Sequence, residues 1–195
     1  MTILDRNVEF KKVLMVIARN TIKRETPLKE GYKYISFREE LLDSWCKLHV
    51  KTGLFENMEQ AKSKLDEMLQ QDKDFFKENF LFVVNEANEL VASAGLWIGK
   101  DFDGNRLRLH YISVDPNAQH NKIAHSMISN LCIKYDSIPG KYPLYLATQS
   151  QSYGAIALYS RMGFTPYLGE YNGCSQEENE AAWEYTTEIL REKVK

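Results

Sequence analysis

Apolar residues arrive along this chain in two rhythms. Short runs rich in β-branched residues, or alternating with polar ones, mark strands. Recurrences at three- and four-residue steps mark helices. Val13 to Ala18 (VLMVIA) is the first run and reads as a buried strand. Turn chemistry from Thr26-Pro27 to Glu30-Gly31 precedes an alternating segment, Tyr32 to Phe37 (YKYISF), which reads as a second strand and a candidate partner for the first. From Arg38 to Lys51 the pattern is helical, with Leu41, Leu42, Trp45, Leu48 and His49 on one covered face and Gly53 as the stop. Asn57 with Gln60 three residues on gives an N-cap and capping-box partner, opening a helix over Met58 to Gln71 that buries Ala61, Leu65, Met68 and Leu69.

A three-strand meander follows: Phe80 to Asn85, Leu90 to Ile98, and Arg106 to Val114. Polar turns separate the strands, and the last stops at Asp115-Pro116, because proline cannot continue a ladder. Ala124 to Tyr135 is helical, Tyr142 to Thr148 a strand, and Ala155 to Met162 a helix ended by Gly163. Phe164 to Tyr171 reads as a closing strand. Ser175 to Glu178 is a second capping box, opening a last helix in which Ala182, Trp183, Tyr185 and Ile189 can dock on the body. No repeat, low-complexity tract or linker interrupts this order, so one domain is expected over 1–195, with 175–195 a C-terminal helical extension. The order implies an α/β protein of the α+β type, a mixed sheet flanked by helices.

Composition narrows the function. Lys and Arg total 25 and Asp and Glu 27, a net charge of -2, which gives no support to nucleic-acid binding. No window approaches the length of a membrane span, and the N-terminus lacks the apolar stretch of a signal peptide, so a cytoplasmic protein is expected. Cys46, Cys132 and Cys174 are far apart, and neither they nor the four histidines show metal-ligand spacing, so no metal is expected. Cys132 reads as core and Cys174 as incidental.

Two stretches carry chemistry. In Ile112 to His125 (ISVDPNAQHNKIAH) a strand ends at proline, a polar loop follows, and a helix begins near Ile123. The first turn of a helix has unpaired N–H groups and the positive end of the dipole, so a loop wrapped onto it forms an anion cradle suited to a pyrophosphate. In Thr148 to Phe164 (TQSQSYGAIALYSRMGF) a strand exits into a polar loop, and a short helix carries Tyr159 just before a glycine stop. Either stretch alone is ordinary punctuation; the pair, in this order after a meander, is much less so.

With both in place, the chain resembles the GCN5-related N-acetyltransferase (GNAT) family, well over Phe80 to Tyr167 and loosely before it. The family pattern of V-x-P followed by [RQ]-x-x-G-x-[GA] is met by Val114-Asp115-Pro116 and Gln119-His120-Asn121-Lys122-Ile123-Ala124. The pattern N-x-x-A-I-x-L-Y, then G-F, is met by Ser152 to Tyr159 and Gly163-Phe164. There are two departures. Lys122 stands where the family has glycine, which costs ~1–2 kcal/mol if that backbone needs positive φ. Ser152 stands where asparagine often touches the pantetheine arm.

The resemblance implies an acyl-CoA N-acyltransferase fold, with a mainly antiparallel central sheet splayed in the middle. It also implies a direct attack in a ternary complex that moves acetyl from acetyl-CoA to a primary amine on a small molecule or peptide. The backbone of Ile112, Ser113 and Val114 would pair with pantetheine, and the Val114 N–H would polarise the thioester carbonyl. Backbone groups of Gln119, His120, Asn121, Lys122, Ile123, Ala124 and His125 would hold the pyrophosphate, and Ser152 would touch the pantetheine. Tyr159 matches the tyrosine that protonates the thiolate.

The base stays open. His110 has a suitable pKa but shares the central strand with Tyr111, pointing the opposite way, so one of the two faces the cleft. Gln149 and Ser150 are candidates to line the acceptor side, and His49 is a weaker candidate base. A non-catalytic acyl-CoA sensor on the same fold is the alternative; a dinucleotide-dependent oxidoreductase lacks its glycine turn. The expected assembly is a monomer or homodimer.

Overall fold

Val13, Leu14 and Met15 are fully buried in succession, which places their strand inside a sheet rather than at its edge. The computed structural model describes residues 4–194; positions 1–3 and 195, counted in the expected domain and its extension, lie outside the described residues. The strands are β1 (Lys12–Ile17), β2 (Lys33–Ile35), β3 (Phe80–Val84), β4 (Leu90–Ile98), β5 (Leu107–Val114), β6 (Leu144–Gln149) and β7 (Thr165–Pro166). They form a seven-stranded sheet in the order β2-β3-β4-β5-β6-β1-β7. Pairing is antiparallel for β1–β6, β1–β7, β2–β3 and β3–β4, and parallel for β5–β6. The helices are α1 (Leu41–Lys51), α2 (Met58–Asn79), α3 (Ile123–Ser137), α4 (Tyr153–Arg161) and α5 (Gln176–Lys193). This is the expected mixed, mainly antiparallel sheet flanked by helices. The β5–β6 ladder covers Arg108↔Tyr145 and Leu109↔Leu146.

Three expectations need correction. The second strand pairs with β3, not with the first; β1 already has β6 and β7 on its two edges, and the polar stretch between β1 and β2 is too long to act as a hairpin turn. The helix expected to end at Gln71 resumes after one non-helical residue, Asp72 (φ -164, ψ 90), whose carboxylate accepts from the Phe75 amide at 2.9 Å and so caps a second segment. The closing strand shrinks to Thr165–Pro166. Beyond it, side chains of α5 satisfy the carbonyls a ladder would have used. Asn179 Nδ2 donates to Tyr167 O and Gly169 O, both at 2.8 Å, and Trp183 Nε1 donates to Tyr167 O at 3.1 Å.

The described chain gathers into two compact units. One holds residues 24–97 and 110–131. Its core is Trp45, Cys46, Ala61, Leu65, Met68, Phe76, Phe80, Phe82 and Trp97. The Phe76 ring stacks on Phe80 at 4.2 Å. A Cβ at Gly95 would lie 2.5 Å from the Phe80 ring, so only glycine lets β4 pass beneath it.

The other unit runs up to Lys23, through Ile98–Leu109, and from Cys132 onward. Its α5 begins at the expected capping box: the Ser175 hydroxyl accepts from the Glu178 amide, and the Glu178 carboxylate accepts from the Ser175 amide. Of the four expected docking residues, Ala182, Trp183 and Ile189 are buried, and Tyr185 is half-buried, its hydroxyl accepting from the Glu9 amide.

At the centre of this unit lies Asp101, read from sequence only as part of a turn. Its side chain is 5% exposed, bound by Lys12 Nζ at 2.6 Å, Arg108 Nη1 at 2.9 Å and the Tyr145 hydroxyl at 3.2 Å. Burial works to raise this carboxyl, but the three partners outweigh it and hold it below the usual carboxylate range. The network joins β1, the β4–β5 connection, β5 and β6. Removing the anion strands two cations. Asp101→Ala is expected to destabilise the protein by about 3 kcal/mol in urea unfolding; a loss below about 1 kcal/mol would contradict a tying role.

Candidate active site

A strand alternates its side chains only while its backbone stays extended. In β5 it does not: Tyr111 adopts φ 48, the left-handed region, in mid-strand. For a non-glycine residue this costs roughly 1–2 kcal/mol. The expected opposite orientation of His110 and Tyr111 is therefore lost, and the two rings lie 3.8 Å apart and 32° from parallel. Aromatic packing offsets the strain. The Tyr111 ring meets Phe55 at 5.4 Å, Trp45 at 5.5 Å and His49 at 5.6 Å. His110 itself is half-buried.

The next residues are buried: Ile112, Ser113 and Val114. Ser113, expected to act through its backbone, also has a working side chain. Its hydroxyl lies 2.7 Å from His49 Nδ1 and 3.1 Å from Thr52 Oγ1. His49 is completely buried, and desolvation pushes its imidazole down to about 3. Sequence alone does not single out His49, because a bond spanning 64 positions leaves no local pattern.

After Val114, the Asp115 carboxylate accepts from the Asn117 amide and pairs with Lys51 Nζ at 2.7 Å. Pro116–Ala118 makes one 3-10 turn. His120 (φ 63) and Lys122 (φ 59) are both left-handed and exposed, and α3 starts at Ile123. Position 122 thus needs the conformation that glycine takes without penalty. The Ser126 amide closes the first helical turn onto Lys122 O at 2.9 Å. The amides of residues 120 to 125 meet no acceptor among the described residues. Such a row of unfilled donors, in a loop with alternating backbone hand at a helix start, has the geometry that anion binding requires.

The loop is held from behind. Asn121 Nδ2 donates to Ala118 O and Gln119 O at 3.2 Å and to Tyr32 OH at 3.1 Å, and its Oδ1 accepts from Lys29. His125 turns its ring to Thr26 Oγ1, 2.9 Å away. Gln119 is half-buried before the loop.

In the other unit, Ser152 precedes α4 without capping it and is half-buried. Tyr159 is 5% exposed, with Phe164 5.9 Å away, and burial pushes its phenol above the ordinary range, so it stays protonated at neutral pH. Ser150 was a candidate acceptor-side residue. Its hydroxyl is instead committed to the N-terminal segment, accepting from the Lys11 amide and donating to Glu9 O. Among the described residues no group of three or more His, Cys, Asp or Glu could hold a metal, and no helix is long and apolar enough to cross a membrane.

The family model described as "Acetyltransferase (GNAT) family" matches residues 39–164, well over half of the chain. Similar solved structures include a GCN5-related N-acetyltransferase from Sphaerobacter thermophilus (16% identity, 82% of this chain and 49% of that one, TM-score 0.61). A GNAT-family acetyltransferase from Colwellia psychrerythraea is also similar (14%, 82% and 54%, TM-score 0.58). So is a tandem GNAT protein from the clavulanic acid biosynthesis pathway (11%, 80% and 50%, TM-score 0.59). At these identities the likeness is one of fold. The chain spans about half the length of these proteins. No curated protein matches it.

Two outcomes follow from the local geometry. Lys122→Gly relieves the left-handed strain and is expected to raise urea stability by about 1 kcal/mol; a net loss would contradict the strain. His49 is uncharged when folded, whereas the unfolded chain takes up its proton below about pH 6.5. Its contribution is therefore intact above pH 6.5 and is lost as pH falls toward 3, by up to about 1.4 kcal/mol per unit. Between pH 6.5 and 4.5, His49→Gln is expected to lose stability less steeply than the wild type, and parallel slopes would show that His49 is not buried neutral.

Proposed function

The chain belongs to the GNAT acetyltransferase family, and from that premise we propose that it carries acetyl from acetyl-CoA to a primary amine by direct attack in a ternary complex. The observation that carries this reading is the run of unpartnered amides from residue 120 to 125, set between left-handed residues at the start of α3. It offers an extended row of donors suited to a diphosphate, and the residues present fit such a group. Lys122, exposed on the same loop, adds a cation that could meet a phosphate.

In this reading Gln119, His120, Asn121, Lys122, Ile123, Ala124 and His125 contribute their backbone to that cradle. Ile112, Ser113 and Val114 offer strand backbone to the pantetheine arm. The Val114 N–H polarises the thioester carbonyl as negative charge develops on it. Attack by the neutral amine forms the C–N bond, and collapse breaks the C–S bond. Tyr159, kept protonated by burial, gives its proton to the leaving thiolate. Ser152 supplies a hydroxyl to the arm.

An alkylamine with pKa ~10.4 is almost wholly protonated at neutral pH, so a proton acceptor speeds the reaction. His110, half-buried on β5, is the acceptor the sequence nominates. The acceptor substrate is a small molecule or a peptide. The three free cysteines suit a reducing compartment such as the cytoplasm.

Calorimetry with acetyl-CoA on wild type and Tyr159→Phe, followed by thiol release with an amine panel, tests the proposal. Both proteins should bind at micromolar concentration, and turnover by the variant should fall about 10²-fold or more. No binding at millimolar acetyl-CoA would sink the reading, and binding without turnover of any amine would favour the non-catalytic sensor.

A further inference from the structure

A buried imidazole with one nitrogen in a hydroxyl chain and the other unpartnered is an unusual arrangement. In His49, Nδ1 lies 2.7 Å from Ser113 Oγ, Ser113 Oγ lies 3.1 Å from Thr52 Oγ1, and Thr52 is half-buried at the end of α1. His49 Nε2 has no hydrogen-bond partner among the described residues. One turn earlier on the same helix face, Trp45 Nε1 is also buried and unpartnered, and the two rings are 4.0 Å apart. Each such group carries a cost of roughly 1–3 kcal/mol if nothing ever fills it. Two side by side, walled by Phe55 and Tyr111, mark a place prepared for a polar guest.

The chain of hydroxyls has a direction. An orphaned N–H is rarer in proteins than an orphaned acceptor, which puts the imidazole proton on Nδ1. Ser113 then accepts from Nδ1–H and donates to Thr52, and Thr52 donates to His49 O, 3.3 Å away, or to water. The bare lone pair is left at Nε2, which is buried and has no hydrogen-bond partner among the described residues. Ser113, the middle member of the chain, is next in sequence to Val114, the proposed carbonyl-polarising position, and all three members lie in the same compact unit as Val114.

We propose that His49, rather than His110, is the catalytic residue that deprotonates the acceptor, and that Ser113 and Thr52 relay the proton to solvent; this rests on the transferase reading above. The N–H bond of the ammonium breaks and an Nε2–H bond forms. The Nδ1 proton passes to Ser113 Oγ, the Ser113 proton to Thr52 Oγ1, and the Thr52 proton to water. One proton enters, one leaves, and the amine is left with a free lone pair. The resting tautomer returns when the site reopens to water. The Phe55 ring, half-buried on the α1–α2 connection, is the part of the wall that must swing to admit the amine.

Two measurements test this. The first reads the resting tautomer in the wild type by long-range ¹⁵N spectra of the histidine rings, with His49→Gln assigning the signal. A proton on Nδ1 and a bare Nε2 support the relay, and an Nε2–H tautomer overturns it, whatever the acceptor.

The second compares wild type, His49→Gln and Ser113→Ala in acetyl transfer to a primary alkylamine and to methoxyamine, which is already neutral at pH 7. The relay predicts a loss of about 10²-fold or more with the alkylamine and under about threefold with methoxyamine. Equal losses with both amines would make His49 and Ser113 structural only. Failure to bind acetyl-CoA removes the transferase reading and the relay with it, whereas binding accompanied by equal losses removes the relay alone.

Discussion

The left-handed turn of Tyr111 in the middle of β5 is the constraint from which the rest of the proposed site follows. It breaks the alternation that a regular strand would impose. It brings the His110 and Tyr111 rings together, and Ser113, two positions further on, bonds to His49 on α1. A tyrosine does not hold φ 48 unaided. Trp45, His49 and Phe55 surround its ring, and Trp45, Phe55 and Tyr111 pack around the His49 imidazole, whose Nε2 has no partner among the described residues. Strain, aromatic packing and the buried polar chain are therefore one construction, and none of the three is explained without the other two.

The second construction is the loop before α3. Here too the backbone leaves its preferred region, at His120 and Lys122, and here too the surroundings hold it there, through the fourfold bonding of Asn121 and the anchoring of His125 on Thr26. The result is a set of amides that face no acceptor. Unfilled donors are unfavourable unless water or a ligand meets them, and in the proposed function a diphosphate is the ligand that would meet them. Asp101, by contrast, is fully satisfied, with partners from three strands, and its role is to fix the framework.

Much of this was legible in the sequence, because much of it is local. The loop before α3 is marked by Val114-Asp115-Pro116 and the helix start at Ile123, whereas Lys122 in a glycine position leaves open whether the backbone there needs positive φ, which it does. Ser175 and Glu178 gave the start of α5. What was hidden depended on distant partners. Tyrosine favours strands, so nothing at Tyr111 signals a left-handed turn. The partner of β2 is not legible locally, because strand pairing is decided by which edges are already occupied, and both edges of β1 are taken by β6 and β7. At Ser113 the motif points only to the backbone, because a side-chain bond to an imidazole 64 positions earlier has no sequence signature. Asp101 looked like turn chemistry because its cations come from β1 and β5.

The central claim is that the amides from residue 120 to 125 form the pyrophosphate cradle of an acetyl-CoA site. The most direct measurement is backbone amide NMR of the protein titrated with coenzyme A and, in parallel, with pantetheine, which lacks the diphosphate. The account predicts large downfield shifts at residues 120 to 125 with coenzyme A and none there with pantetheine. Amides that stay unmoved with coenzyme A, or that move equally with both compounds, would contradict it.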